Sequence, residues 1–336
     1  MLYRIFFTLL LICTIRVQGQ TLGGNSLYNF LKLPNAPQLT ALGGINVSQF
    51  TQDIGMVFHS PALLEPSMHG QSSFVFNAYF GGIRQYHAIT GYHVKAAATT
   101  LALGVHYFDY GQITRTDVAG NVLGLFRPLD YVVQATASRS YLRHWHYGMA
   151  FKFLRSSYGP YASSAVALDM GVTYADTASG WKLGLNAMQM GAVLQKFSGT
   201  DNSDLPFDLR FGISKKLRNA PLQFSLTAHH LHQGDITYED TASDYYRGKA
   251  GWADRIFRHL VFAVQGYVSN KIELSAGYDF LRRRELNIAG GINGWNGFSL
   301  GMGVTLKRWQ FRYARTYFQS AQSSHQVGIN LQWPGK

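Results

Sequence analysis

The last part of the chain, residues 297–333, alternates between apolar and polar positions. In its first run every second residue is apolar and the residues between are Gly, Ser or Thr; the apolar set is Phe298, Leu300, Met302, Val304 and Leu306. A period of two places such a set on one face of a β-strand. In a soluble sandwich that face would cover a core. Here the opposite face carries Gly, Ser, Asn, Gln and Arg, which is typical of the lumen side of a membrane barrel.

The same alternation starts at Ser73 and continues to the end of the chain, where it predicts fifteen candidate strands. They are 74–80, 83–94, 98–108, 128–139, 145–155, 164–175, 180–195, 206–217, 221–232, 257–268, 271–280, 284–293, 297–306, 309–318 and 325–333. We therefore expect an all-β fold, a transmembrane antiparallel β-barrel, over residues 73–336.

Two of these strands carry charges on the face opposite their apolar set. Asp208 and Arg210 alternate with apolar residues in one strand, and Lys271 and Glu273 do so in another. Charged side chains are almost never buried without a partner, so a sandwich core would not accept them at every second position. A water-filled lumen would accept them, which favours the barrel.

Loop length decides how many of the fifteen segments cross the membrane. Bacterial single-chain barrels have an even number of strands, with long outer loops and short periplasmic turns. The long connections 109–127 and 233–256 both lie outside only if one segment within 271–306 does not cross. The segment 284–293 is weakened by a Gly-Gly pair, and we assign it to an extended outer hairpin. The prediction is a barrel of about fourteen strands, with sixteen as the alternative.

Residues 1–19 have the pattern of a secretory signal peptide. Arg4 gives a positive start, an apolar run over 6–12 follows, and small residues up to Gly19 provide a cleavage site. The run is too short to span a bilayer. Cys13 is the single cysteine and leaves with the signal. In the mature chain, disulfides, thiolate metal sites and a cysteine nucleophile are therefore excluded.

Residues 20–72 neither alternate nor show a long helical pattern. Gly and Pro recur through this segment, and only Leu27–Leu33 is apolar enough to suggest a short helix. Recurring Gly and Pro residues predict a compact irregular segment that is held in place by the structure around it.

The charge balance is basic, with 30 Lys and Arg against 18 Asp and Glu. Loss of Arg4 and Arg16 with the signal lowers the formal charge from +12 to +10. A basic excess often indicates nucleic-acid binding, but for an exported chain we favour a surface that meets anionic lipid or polysaccharide, and we expect no nucleic-acid partner. No stretch after the signal is apolar enough for a transmembrane helix, while the 35 glycines and 14% aromatic residues suit a barrel.

The histidines His229, His230 and His232 are the strongest metal candidates. On a strand, His230 and His232 would share one face and could supply two ligands. No acidic residue or cysteine lies at a matching distance in the sequence, so we expect structural histidines near a strand end, no metal and no cofactor. Nucleophile-elbow, phosphate-loop, zinc-protease and dinucleotide motifs are missing from the sequence. A hydrolytic pair of His106 and Ser138 is conceivable, but no spacing supports it, and we expect no enzyme.

The loop 233–256 combines acidic residues with Tyr, Trp and Arg. Its acidic residues do not repeat the alternate spacing of a calcium loop. Aromatic residues and arginine in a long exposed loop are typical of partner-binding patches, and a solvated polar loop is the alternative. The candidate docking residues are Tyr238, Asp240, Asp244, Tyr245, Tyr246, Arg247 and Trp252.

One N-terminal pattern resembles the signature of the FadL-like outer-membrane barrels, which runs Ala-x-Gly-Gly/Ala, then Asp, then Asn-Pro-Ala. The matching residues are Ala41, Gly43, Gly44, Asp53, Pro61 and Ala62. His59-Ser60 stands where the family pattern usually has Asn, which affects only the local cap of that turn. The resemblance implies a fourteen-stranded barrel whose lumen is plugged by the 20–72 segment, with structural roles for Gly43, Gly44, Asp53, Pro61 and Ala62.

Within that superfamily the chain resembles the PorQ family, accessory barrels of the Bacteroidota type IX secretion system. The similarity runs from about residue 30 to the end; its segments are 31–34, 41–44, 107–111, 116–121, 277–279, 282–286 and 297–301. It implies a non-enzymatic barrel in the outer membrane of a Gram-negative bacterium, which docks a PorZ-like surface protein and works with PorU-like and PorV-like proteins. That complex trims secreted cargo and links it to lipopolysaccharide.

A channel for small hydrophobic molecules, as in other FadL-like barrels, is the alternative function. It would need a greasy pocket behind the plug and an opening in the wall. The charged lumen positions, such as Asp208, Arg210, Lys271 and Glu273, argue mildly against a route for lipid.

Overall fold

The computed structural model describes residues 26–197, 204–237, 251–287, 294–319 and 322–333. Its strands, in chain order, are β1 (Gln71–Ala78), β2 (Arg84–Val94), β3 (Thr99–Asp109), β4 (Ile113–Thr116), β5 (Val122–Phe126), β6 (Leu129–Tyr141), β7 (Trp145–Tyr158), β8 (Tyr161–Asp176), β9 (Trp181–Gln195), β10 (Asp208–Lys216), β11 (Leu222–Ala228), β12 (Leu260–Tyr267), β13 (Ile272–Asp279), β14 (Phe298–Leu306), β15 (Trp309–Gln319) and β16 (Gln322–Gln332).

Fourteen of these strands form one closed antiparallel barrel, in which β16 pairs with β1. The predicted fold and strand number are thus confirmed, and every barrel strand overlaps one of the candidate segments. The remaining two strands, β4 and β5, form a separate hairpin within the connection between β3 and β6. The sequence pattern did not reveal this hairpin, because its residues are exposed on both faces and do not alternate.

The segment 284–293 is not one of the fourteen barrel strands, as predicted, because β13 pairs directly with β14. The assignment to an extended outer hairpin is wrong for its first residues, because Phe280–Glu285 is a short α-helix that Asp279 caps by accepting from the backbone N–H of Arg282. Residues 288–293 lie outside the described residues. A second short helix, Trp252–Arg258, precedes β12.

The two ends of the barrel differ in the length of their connections. At one end, here called the turn rim, short turns such as 142–144 and 307–308 join the strands. At the other end, the loop rim, lie the long connections 110–128, 196–207, 229–259 and 280–297. In bacterial outer-membrane barrels the long loops face the outside of the cell.

The outside of the barrel is apolar. Along β3, β7 and β13, side chains such as Leu103, Phe151 and Leu274 are exposed, while their sequence neighbours point inward and are mostly buried. A continuous apolar surface of this size is unfavourable in water and matches the hydrocarbon of a bilayer. In the part of the chain that the structure describes, no helix has the length and apolar character to span a membrane.

Residues 26–70, here called the lumen segment, lie inside the barrel. They contain one α-helical turn, Pro37–Ala41, and four 3-10 turns, at Asn29–Lys32, Ile54–Phe58, Pro61–Leu63 and Pro66–Met68. Most apolar side chains of this segment are buried, and Leu39, Ile54 and Met56 are fully buried. The short helix expected within 27–33 is thus a single 3-10 turn.

Candidate functional site

The backbone of the lumen segment receives hydrogen bonds from side chains of the barrel wall. Gln85 Nε2 donates to the carbonyl of Pro34 at 3.1 Å, Lys152 Nζ donates to that of Phe58 at 3.1 Å, and Asn186 Nδ2 donates to that of His59 at 3.3 Å. An irregular backbone cannot satisfy its own polar groups, and leaving them unpaired in a buried place is costly. The wall therefore supplies the partners that regular secondary structure would otherwise provide.

Gly43 and Gly44 form the tightest part of this contact. Their φ angles are +92° and +94°, a region that favours glycine. The wall has a glycine, Gly277, opposite this turn, and a Cβ on Gly277 would lie 2.2 Å from the Gly43 nitrogen. Arg282 Nη2 donates a hydrogen bond to the carbonyl of Gly43 at 2.9 Å and so joins this turn to the barrel.

Asp53 is bound on three sides. Its carboxylate accepts from the backbone N–H of Gly55 at 2.8 Å, which caps the following 3-10 turn, and from Asn330 Nδ2 at 2.7 Å. Arg312 Nε lies 3.0 Å from the other carboxylate oxygen, and the same guanidinium pairs with Glu273. Asp53 therefore joins the lumen segment to the wall through a charge as well as through hydrogen bonds.

Pro61 and Ala62 form a turn that presses on β7 and β8. A Cβ at Gly148 would lie 2.4 Å from the Pro61 carbonyl oxygen, so the wall needs glycine at this point. Ser60, which stands before the proline, accepts a hydrogen bond on its Oγ from Asn186 Nδ2 at 2.9 Å.

A buried ion pair lies beneath the lumen segment. Lys152 Nζ on β7 is 2.6 Å from Asp169 on β8, and neither side chain is exposed to solvent. The ammonium group also lies 4.2 Å from the ring centre of Phe58. Sequence reasoning missed this pair, although each residue occupies the polar phase of its own strand.

The expectation that Asp208 and Arg210 face a water-filled lumen is wrong. Both are buried, and their side chains are 2.6 Å apart. The conceivable pair of His106 and Ser138 is not brought together: His106 pairs across the strands with Val132, whereas Ser138 pairs with Thr100.

The histidines lie at the loop rim. The expectation that His230 and His232 share a strand face is wrong, because β11 ends at Ala228 and His230 has a φ of 53°. The Nδ1 atoms of His229 and His230 are 2.5 Å apart, and Asp208 brings a carboxylate, so that three ligand atoms lie within 4.8 Å of one another. Asp208 is the acidic neighbour that the sequence did not reveal, because it comes from the adjacent strand β10.

The chemistry of this cluster favours hydrogen bonding over metal binding. Asp208 is already engaged, by Arg210 and by the backbone N–H of His230 at 2.6 Å. Burial lowers the pKa of His229 to about 4 and that of His230 to about 3, so both rings are neutral at physiological pH and one donates to the other. A dication would have to displace Arg210 from the only carboxylate of the group.

Most of the candidate docking residues cannot be placed. Tyr238, Asp240, Asp244, Tyr245, Tyr246 and Arg247 lie outside the described residues. Trp252 begins the helix Trp252–Arg258, and its side chain is exposed. The helix is held to the loop rim by the ion pair of Asp254 with Arg284, and Asp254 also pairs with Arg258 within the helix.

Comparison with known proteins found similar structures but no similar sequences. No protein-family model matches the sequence, and no curated protein matches it. A mutant of the TodX monoaromatic hydrocarbon channel superposes with a TM-score of 0.50 at 12% identity, covering 89% of this chain and 99% of the channel. A Pseudomonas aeruginosa FadL homologue gives a TM-score of 0.50 at 9% identity, with 89% and 98% covered. At such identities the likeness concerns the fold alone: this chain folds like these two barrels.

Proposed function

We propose that this protein is a non-enzymatic outer-membrane barrel that anchors and docks a surface partner of the type IX secretion system. The partner is a PorZ-like protein of the attachment complex, which acts with PorU-like and PorV-like proteins to process secreted cargo and link it to lipopolysaccharide. The sequence resemblance to the PorQ family motivates this proposal.

The observation that carries the proposal is the way in which the lumen is filled. Asp53, the Gly43–Gly44 turn and the carbonyl of Phe58 are each bound by a different part of the wall. A route for solute would require several of these buried polar contacts to break together, whereas an anchor requires only a rigid barrel. The long connections of the loop rim then supply the surface on which a partner can bind.

The test is purification of the tagged protein from its native outer membrane in mild detergent, with protein and lipid both identified. We expect a stoichiometric surface protein. Replacement of residues 238–250 by a short Gly-Ser linker should release that protein, while the same replacement at 117–121, the tip of the β4–β5 hairpin, should retain it as the matched control. A lone barrel, or a partner that survives loss of 238–250, contradicts the proposal.

A channel for small hydrophobic molecules is the second candidate, and the fold shared with a monoaromatic hydrocarbon channel supports it. The two functions separate when the lumen segment is locked to the wall. Cysteines at Ala62 and Gly171 would have Cβ atoms 3.3 Å apart, slightly closer than in a disulfide, and the Asn186 side chain, whose Oδ1 would lie 2.5 Å from the new Cβ at position 171, must shift to admit it. Oxidation of the double variant Ala62→Cys/Gly171→Cys should abolish uptake of an aromatic hydrocarbon into vesicles if the protein is a channel, and should leave partner binding unchanged if it is a platform.

A further inference from the structure

The helix Trp252–Arg258 has its large apolar side chains on the outside, whereas Asp254 and Arg258 face the protein. Trp252, Ile256 and Phe257 are 78%, 51% and 48% exposed, whereas Arg258 is only 8% exposed. Residues four apart lie on the same face of a helix, so Trp252 and Ile256 form a ridge with Phe257 beside it. A rim helix surrounded by water would be expected to show the opposite arrangement.

The inward charges of this helix are neutralised within the rim. Asp254 receives Arg258 at 2.9 Å and Arg284 at 2.8 Å, and Arg255 lies 3.2 Å from Asp235. The pair of Asp254 with Arg258 lies within the helix, whereas the pairs with Arg284 and Asp235 join the helix to the rest of the rim and orient it about its axis. The exposed apolar ridge is therefore a consequence of how the helix is held.

The ridge continues into the lipid-facing surface of the barrel. Phe257 packs on Phe280 with ring centres 5.1 Å apart, and Phe280 packs on Tyr278 at 4.7 Å. Tyr278 pairs with Phe298 across β13 and β14, with their rings 4.7 Å apart.

Further along the same two strands, Leu274 pairs with Met302, and both side chains are exposed on the outer face. The apolar strip thus runs without a break from the middle of the barrel wall to the helix. A wall of this kind meets lipid, and the helix extends that wall.

We propose that the helix Trp252–Arg258 lies in the outer leaflet of the membrane, with Trp252, Ile256 and Phe257 among the lipid chains. Its occupant is lipid, because the ridge is continuous with the surface that already faces lipid. Trp is favoured at the membrane interface, and a short helix with one apolar face lies in the plane of that interface. This assignment removes Trp252 from the candidate docking residues, and it rests on the barrel's place in a membrane rather than on the proposed partner.

Spin labelling tests this assignment directly, because the mature chain contains no cysteine of its own. Ile256→Cys carries a nitroxide in phosphatidylcholine–phosphatidylglycerol vesicles, and its collisions with oxygen and with a water-soluble nickel chelate are compared. Leu274→Cys is the matched control on the barrel wall, and Val118→Cys, at the fully exposed hairpin tip, is the control in water. We expect the label at 256 to resemble that at 274, with a severalfold higher ratio of oxygen to nickel accessibility than at 118.

A label at 256 that resembles the label at 118, in vesicles that contain no other protein, would overturn the proposal and return the ridge to a protein partner. A second measurement needs no cysteine. Brominated phosphatidylcholine should quench the emission of Trp252, which is obtained as the difference between the spectra of the native barrel and of Trp252→Phe. A difference spectrum that the brominated lipid does not quench would also overturn the proposal, since Trp252 would then not be in contact with lipid.

Discussion

Two short irregular pieces are attached to this barrel, and they are built in opposite ways. The lumen segment buries its apolar side chains, such as Leu39 and Met56, and offers backbone carbonyls to the polar wall. The rim helix Trp252–Arg258 instead turns Arg258 toward the protein and leaves Trp252 and Ile256 outside. The wall is the same sheet in both cases, but its inner face is polar and its outer face is apolar. The lumen segment therefore presents polar backbone groups to the polar inner face, whereas the rim helix extends the apolar outer face with its own apolar side chains.

The two pieces are attached to the barrel by interactions of different strength. The lumen segment is attached by buried charges and hydrogen bonds, and removing one partner of such an interaction is costly. At the rim the ion pairs are partly exposed to solvent and contribute less. Substitutions should therefore have large effects in the lumen and small effects at the rim.

The largest effect is expected from Lys152→Ala, which leaves Asp169 buried without its partner. Removing one member of a buried ion pair costs about 3–5 kcal/mol, and both side chains here are fully buried. Urea unfolding of the barrel in detergent, followed by tryptophan fluorescence, measures the change in the free energy of unfolding.

Two control variants accompany this substitution. Arg127→Ala breaks the pair with Asp109, in which the arginine is exposed, and should cost about 1 kcal/mol or less. The double variant Lys152→Met/Asp169→Leu removes both charges and should recover part of the stability; the carbonyl of Phe58 and the N–H of Gln189 still lose their partners. Equal losses of unfolding free energy for Lys152→Ala and Arg127→Ala would show that ion pairs in the lumen stabilise the barrel no more than those at the rim.

A smaller loss is expected from Gly277→Ala, which acts on shape rather than on charge. The new Cβ would meet the Gly43 nitrogen at 2.2 Å, and overpacking of this kind costs about 1–3 kcal/mol. The matched control is Gly266→Ala in β12, where the nearest atom would be 3.6 Å away. Limited proteolysis of the lumen segment, together with urea unfolding, separates the two. If both variants cleave at the wild-type rate, the close approach of wall and segment is not a constraint.

The wall was predictable from the sequence, and the attachments were not. A period of two is visible within each strand separately. The number fourteen followed because the strand number must be even and the long connections must all lie at one end of the barrel. The pairs that hold the lumen segment, such as Lys152 with Asp169 and Asp53 with Arg312, depend on the register between strands and on contacts between distant parts of the chain. No local pattern encodes them.

The rim helix escaped the sequence analysis for a different reason. Seven residues are too few for a clear helical period, and this helix has no side-chain hydrogen bond at its N-terminal cap. The Gly-rich wall contacts left a clearer signal, because inward glycines such as Gly148 and Gly277 recur at polar positions of the strands. They could have been interpreted as places where another part of the chain approaches.

A small effect, confined to the rim helix, is expected from Asp254→Asn. Asp254 is partly buried and serves both Arg258 and Arg284, so its loss should release the inward face of the helix at a cost of about 1 kcal/mol. In hydrogen–deuterium exchange, residues 252–258 should exchange faster while the amides of β13 remain protected. Asp235→Asn is the control with a smaller effect, because the Asp235 carboxylate pairs with only one arginine, Arg255, and both side chains are more than 40% exposed. Faster exchange throughout the barrel would mean that Asp254 stabilises the whole fold.

The β4–β5 hairpin should show the smallest effect, and it should appear only in acid. Asp117 accepts from the side chain and the backbone N–H of Asn121 and from the backbone N–H of Ala119. These hydrogen bonds, with that of the Asn121 side chain the strongest, lower the pKa of the Asp117 carboxyl below its ordinary value. The stabilisation is therefore fully present above about pH 3.9, the ordinary pKa of aspartate, and is lost as the pH falls through the lowered value. A nitroxide at Val118→Cys should keep constant mobility down to about pH 4 and become more mobile below it, whereas the added change Asp117→Asn should abolish this pH dependence. A mobility change centred above that pH would assign the transition to another group and break the link between the turn and its carboxylate.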